Sequence, residues 1–303
     1  MALFIVLEIG FSAWIGRKSY TVADTATNLT YTALNASIDL VFRGVTLYML
    51  MLAYSMTPIR LEVNWVYWVA LFLLQDLAYY ALHCADHYVR IFWAAHVTHH
   101  SSQLFNLTVA IRSSVFQPLY RFLFYLPLGF MGFEPLHILF MYAVCQSYGF
   151  WVHTEYIGRL GALEWVLVTP RLHSVHHASN PQYLDKNMGM VLIVWDRLFG
   201  TFQDQIEGVA PNYGTTTKPL TTNPIGQIFD EWRKLAADMK RAPDLGTKLR
   251  YMYMPPGWSH DGQSKTSTQL RADMAAKHLS HATMGGAEVA RMGARREASE
   301  VEQ

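Results

Sequence analysis

Long apolar stretches in this chain run into histidines, and that pairing constrains its fold more than any other feature. From about Val63 to Leu82 the chain is apolar for about 20 residues, the length needed to cross the hydrocarbon core of a bilayer, and it leads directly into His83. The apolar stretch from Val115 to His153 is broken by Pro127, Gly129 and the Gly132-to-Pro135 turn, which predicts a helical hairpin. Upstream, a helix is predicted from about Ala33 to Met56, stopped by Pro58, with the polar segment KSYTVADTATNLTYT before it as a cap. Asp39 and Arg43 stand one turn apart in that helix and read as an ion pair at its end. The opening run MALFIVLEIGFSAWIG lacks a basic n-region and a small-residue cleavage site, so it reads as a short membrane helix rather than a signal peptide.

Composition agrees with a membrane protein. Of 303 residues 51% are hydrophobic and only 16% charged, which is too apolar for an ordinary soluble domain of this size. A net charge of +1, with basic residues in ones and twos, excludes a nucleic-acid-binding stripe. Cys84 and Cys145 lie in apolar stretches without a second Cys at ligand spacing, which excludes a disulfide framework and a thiolate metal site. Arg17 and Lys18 follow the first apolar run and Arg90, Arg112, Arg159 and Arg171 stand around the histidines, with Arg60 the outlier among the loop residues, so the histidine-bearing loops are expected on the cytosolic face, of a bacterial inner membrane or the ER.

The expected fold is therefore an all-α integral membrane protein of about four transmembrane helices, with a cytosolic-face helical cap carrying a histidine-rich two-metal site. The expected organisation is a membrane domain over 1–204, a cytosolic extension over 205–257 with a helix from about Ile225 to Arg241, and a polar tail over 258–303, disordered or loosely helical.

Nine of the 13 histidines fall in four short strings. His83 and His87 are four residues apart, one turn above another on a helix face. His96, His99 and His100, and again His173, His176 and His177, have i, i+3, i+4 spacing, which gathers three imidazoles on one helical stripe. His153 ends the hairpin within reach of them. Buried imidazoles beside membrane helices are costly without partners, and nine are more than one ion can use, so the count points to two metal ions. Imidazole suits iron, zinc, copper and nickel alike. Asp76, Asp86, Glu155 and Asp185 are candidates to receive the outer N–H of a liganding histidine, or equally helix caps or surface charges. His137 reads as structural, and His260, His278 and His281 as tail residues that bind nothing. A metal transporter would place histidines at mid-membrane depth, and a zinc protease would need HExxH, which is absent.

The strings HxxxH, HxxHH and HxxHH, with apolar helices before and between them, resemble the fatty acid hydroxylase and sterol desaturase superfamily over roughly residues 60 to 203. Trp93-Ala94-Ala95-His96-Val97-Thr98-His99-His100-Ser101-Ser102, then Asn106-Leu107 and Arg112, most resemble its alkylglycerol monooxygenase branch and bacterial relatives. So do Phe150-Trp151-Val152-His153-Thr154-Glu155, Asp185-Lys186-Asn187 and the run Trp195 to Phe202. The resemblance implies a non-haem di-iron centre that uses O2 to hydroxylate or desaturate a lipid at a C–H bond, with alkylglycerol-like, sterol or fatty-acyl lipids as the substrate class. His83, His87, His96, His99, His100, His173, His176 and His177 match the family's ligand motifs, and His153 with Glu155 a further motif of that branch. Zinc can stand in for iron. The branch draws electrons from tetrahydrobiopterin, and with no fused cytochrome or flavin domain the electron donor is a separate molecule or protein. The shorter apolar portion after the third box, with a polar tail in its place, departs from the animal enzymes. A greasy tunnel is expected between Trp65–Tyr80 and Phe116–Tyr148.

Overall fold

A computed structural model describes residues 1–277. Twelve helices and three short 3-10 turns order the chain as far as Tyr253, and no strand occurs among the described residues beyond two isolated bridges, Leu167 with Leu192 and Ala178 with Tyr213. Four helices set the frame: α1 (Ala2–Trp14), α2 (Val22–Ser55), α3 (Trp65–Tyr88) and α4 (Arg90–His100).

α2 starts eleven residues before the expected Ala33, because Thr21 caps it by accepting from the Asp24 N–H and its first turns have polar partners inside the protein. Asn28 donates to the Thr108 hydroxyl at 2.9 Å and Asn35 to the Ser114 carbonyl at 2.7 Å. The polar segment read as a cap is thus largely the buried-facing first third of the helix. At 34 residues α2 is roughly 51 Å long. Asp39 and Arg43 consequently lie inside it, not at its end. α3 begins at Asn64, whose side chain accepts from the Tyr67 N–H, and runs on through both His83 and His87.

After α5 (Leu107–Ala110), the helices α6 (Phe122–Phe130) and α7 (Pro135–Trp151) form the expected hairpin and pack against α2 and α3. Gly132 makes its turn at φ +89°, and a Cβ there would meet Ile59 at 2.7 Å. Tyr54 of α2 donates to Glu134 at 2.7 Å, and the Tyr67 hydroxyl accepts from the Glu134 N–H at 2.9 Å, so the α2–α3 link and the hairpin turn share one end of the bundle. His137 belongs to that end, with Nδ1 3.0 Å from the Tyr67 hydroxyl and its ring tilted against Trp68 at 4.7 Å. The nine patterned histidines lie at the other.

Two helices, α2 and α3, are long and apolar enough to cross a membrane. Only 17% and 33% of their apolar windows are buried, so most of that apolar surface faces outward. α1, at 13 residues, falls short of the membrane helix expected from its sequence. Its buried residues are the polar Glu8 and Ser12, while Leu3, Phe4, Val6, Leu7 and Trp14 are exposed. Glu8 accepts from the Leu107 N–H at 2.8 Å and from the hydroxyls of Tyr20 and Thr154, tying α1 to the loop beside His153.

The remaining helices are α8 (Pro170–His176), α9 (Val194–Phe199), α10 (Pro224–Ile228), α11 (Asp230–Arg241) and α12 (Leu245–Tyr253). The single helix expected over Ile225–Arg241 is two, broken at Phe229. α11 packs on α4 through Arg90, which reaches Glu231 at 3.2 Å and Asp238 at 2.6 Å. A further helical stretch covers 267–277, while His278 and His281 lie outside the described residues.

Candidate metal centre

α3 carries His83 and His87 on one face; the chain then breaks at Val89, in extended conformation, and α4 folds back so that His96 and His100 meet them. α8, capped by Thr169 with Pro170 in its first turn, delivers His173 and His176, with His177 just past its end. His153 follows α7 by two residues.

The imidazoles do not form one stripe per box. They divide into two groups whose candidate ligand atoms all lie within 4.8 Å of one another: His83, His87, His96, His100 and His176, and His99, His153, His173 and His177. Each HxxHH box is split. Its i, i+4 pair enters one group and its i+3 member the other, with opposite assignment in the two boxes, because on a helix the i+3 side chain is rotated by about 60° from residue i and about 100° from residue i+4.

The donor set fits metal ions. The Nδ1 atoms of His83, His99, His153 and His176 stand 2.7, 2.8, 2.7 and 2.9 Å from the carbonyl oxygens of Met188, Arg112, Gly149 and Lys186, which can only accept. Nδ1 therefore carries the proton and Nε2 offers a lone pair. Yet Nε2 of His99 faces Nε2 of His153 at 3.5 Å, with no proton between them to make a hydrogen bond. The same type of approach joins His83 to His96 at 3.2 Å, His96 to His100 at 3.1 Å and His153 to His173 at 3.0 Å. Nitrogen ligands at about 2.1 Å from one ion sit about 2.9 to 3.4 Å apart, which matches these separations. Nε2 of His87, His176 and His177 is buried without any hydrogen-bond partner, the costly state that a cation relieves.

Burial pushes His99 down to about 4, and it holds His96, His100, His153, His173, His176 and His177 well below the ordinary imidazole range, with neighbouring imidazoles adding to the effect. At neutral pH these rings are neutral, the form that binds metal.

Of the four acidic candidates, two meet a histidine. Asp185 lies 3.3 Å from Nδ1 of His87, and Asp86 lies 3.6 Å from Nδ1 of His96 while accepting from Gln117 and Tyr120 at 2.6 Å each. Asp76 and Glu155 touch none. Asp76 accepts from the Val191 and Leu192 N–H groups and the Trp195 indole, fixing the loop whose Met188 carbonyl orients His83. Glu155 binds the Tyr213 hydroxyl at 3.0 Å and Arg17 at 3.3 Å.

Sequence reasoning passed over Ser114, 3.0 Å from Nδ1 of His96, and Asp196, which accepts from the Met188 and Gly189 N–H groups. Neither has a spacing signal. Arg112 is also structural: it is 2% exposed and donates to the Thr98 carbonyl, Asn28 and Ser101, bracing the loop whose own carbonyl holds His99.

A cavity of about 510 Å³ opens from His96, His99, His153 and His173 into the helices. Its far walls are α6 and α7, as expected, and also α2 from Asn35 to Leu50, which was not; of Trp65–Tyr80 only Tyr79 lines it. Phe122, Tyr125, Ile138, Leu139 and Phe150 give it an apolar lining, and Asp39, Arg43 and Arg121 a charged one.

Over residues 68–201, the segment that carries all nine patterned histidines, the chain matches the fatty acid hydroxylase family. Among curated proteins it is homologous to alkylglycerol monooxygenases: that of Xenopus tropicalis is 35% identical over 263 residues, covering 84% of this chain and 57% of the relative. The human protein of that name is 36% identical over 263 residues, with the same coverage of 84% and 57%. An ornithine lipid hydroxylase of Rhizobium tropici is 29% identical over 148 residues, 48% of this chain and 44% of the relative. The chain thus spans little more than half the length of the alkylglycerol monooxygenases it matches. No solved structure matches it.

Proposed function

We propose that the protein is a membrane-bound non-haem di-iron monooxygenase that hydroxylates a lipid at a C–H bond with O2. The observation that carries this reading is the convergence of two groups of buried imidazoles, with Nε2 lone pairs facing one another, beside a cavity that His96, His99, His153 and His173 line. His83, His87, His96, His100 and His176 would hold one ion and His99, His153, His173 and His177 the other. When bound, the two ions supply the redox chemistry that activates dioxygen and oxidises the C–H bond.

The chain's own residues do the rest. Backbone carbonyls fix the tautomer and aim of His83, His99, His153 and His176, and Asp185 those of His87. The Phe105 ring, 1% exposed, packs over His153, His173 and His177 and excludes water from that side. The cavity between α2, α6 and α7 receives the lipid. Similarity to alkylglycerol monooxygenases and to an ornithine lipid hydroxylase supports a lipid substrate, and an external reductant such as tetrahydrobiopterin supplies the electrons.

In this reading α2 and α3 cross the membrane, the α6–α7 hairpin enters it beside them from the histidine end, and α1 lies along the membrane face. Arg17 and Lys18 beside the histidine end argue that this end is cytosolic. The test is elemental analysis of detergent-purified protein, followed by product analysis after incubation with single-chain lipids, O2 and reduced pterin. About two iron ions per chain and an oxygen-dependent hydroxylated product are expected; protein without metal, or with metal and no oxidised lipid under any reductant, overturns the proposal.

A further inference from the structure

The charged group on the cavity wall is larger than the ion pair that the sequence suggests. Asp39 of α2 takes Arg43 on one oxygen at 2.7 Å and Arg121, from the segment just before α6, on the other. A tie between helices needs only Arg121, whose side chain is 14% exposed and lies over the Tyr142 ring at 5.0 Å. Arg43 adds a second guanidinium whose side chain is 73% exposed. Among the described residues, Nη1 and Nη2 of Arg43 and Nε and Nη1 of Arg121 have no acceptor, so the group carries one net positive charge and a fork of free donors. Beside it, the hydroxyl of Tyr125, a residue only 3% exposed, lines the same cavity with no partner.

We propose that Arg43 and Arg121, braced by Asp39 and joined by the Tyr125 hydroxyl, form the headgroup site of this cavity and select a lipid bearing an anionic oxygen group, phosphate or carboxylate. The inference rests on the lipid-oxygenase reading and names the substrate feature which that reading leaves open. Its position sets the chemistry. Asn35 of α2 is bonded to Ser114, which touches His96, and Asp39 and Arg43 lie four and eight residues further on, roughly 6 and 12 Å along the axis. Leu50 lies deeper still and takes the tail. A lipid held this way has its polar end, not its terminal methyl, nearest the histidines.

The experiment uses the full chain in lipid nanodiscs, without O2 or reductant, and a fluorescent single-chain lipid as probe. Three competitors of equal chain length carry a glycerol phosphate, a carboxylate or an uncharged glycerol. An oxyanion lipid is expected to compete about tenfold better than the uncharged one, the worth of one charge-assisted hydrogen bond, and the better of the two identifies the group. Arg43→Gln and Arg121→Gln should each abolish that preference while metal content stays at the wild-type level. Arg43→Gln alone suffices if the more buried Arg121→Gln does not fold. Equal competition by all three lipids, or a preference that survives Arg43→Gln, overturns the assignment. A wild-type protein that carries metal and hydroxylates lipid but shows no such preference loses only the headgroup site, whereas a wild-type protein that shows the preference but carries no metal loses the oxygenase reading instead.

Discussion

His99 and His153 point their Nε2 atoms at each other across 3.5 Å, each with its only proton held on the far nitrogen by a backbone carbonyl. Two lone pairs at that separation repel unless a cation lies between them. Replacing one of them should therefore empty one site and spare the other. In His99→Ala the metal content is expected to fall from about two ions per chain to about one, as in His87→Ala, while the combined variant retains none. Elemental analysis with a folding check by circular dichroism reads this directly; unchanged metal in both single variants would exclude the assignment.

Asp185 touches His87 from outside the cluster. Asp185→Asn keeps the shape but removes the negative charge that favours the Nδ1 proton. Such outer partners are worth about 10- to 100-fold in metal affinity. Competition with a chelator should show that loss in the first group of histidines, with the group containing His99 unaffected.

Asp76 acts at longer range. Asp76→Ala strands three N–H donors, those of Val191, Leu192 and the Trp195 indole, and should cost about 3 kcal/mol or more, at roughly 1 kcal/mol or more per buried unpaired group. Thermal unfolding in detergent measures it. Because the loop it anchors bears the Met188 carbonyl, metal affinity should fall as well.

Acid should release the metals and then loosen the fold. His99 is depressed to about 4 when folded and returns to the ordinary value near 6.5 when unfolded, so between those values the unfolded chain binds more protons. The metal-free protein is thus expected to be at full stability above about pH 6.5 and to lose it progressively as pH falls toward 4, with the still lower imidazoles extending the decline. A flat denaturation midpoint between pH 7 and 4.5 would contradict this.

How much of this was legible beforehand depended on spacing. The histidine strings, the α2–α3 pair and the hairpin could be read because each has a local signature: i, i+4 spacing, apolar length, or a Gly-Pro turn. The length of α2 was misjudged because the polarity of Asn28, Thr32 and Asn35 looked like exposure, whereas those side chains bond the loop over 106–114. Four spans were read from apolar runs, but α1 at 13 residues and α6 at 9 do not meet that length alone. The division of each HxxHH box between two groups was invisible, since it depends on how α4 and α8 cross, a tertiary fact. Asp76 and Glu155 failed as histidine partners for the same reason.

The splitting of both boxes also limits how such a site can be simplified. Since α4 and α8 each donate to both groups, the two centres share their scaffolding like two rooms with common walls. Neither helix can be removed, shortened or shifted by one residue without disturbing both histidine groups together. A single-metal version of this protein is therefore not reachable by deleting a box, only by changing individual side chains.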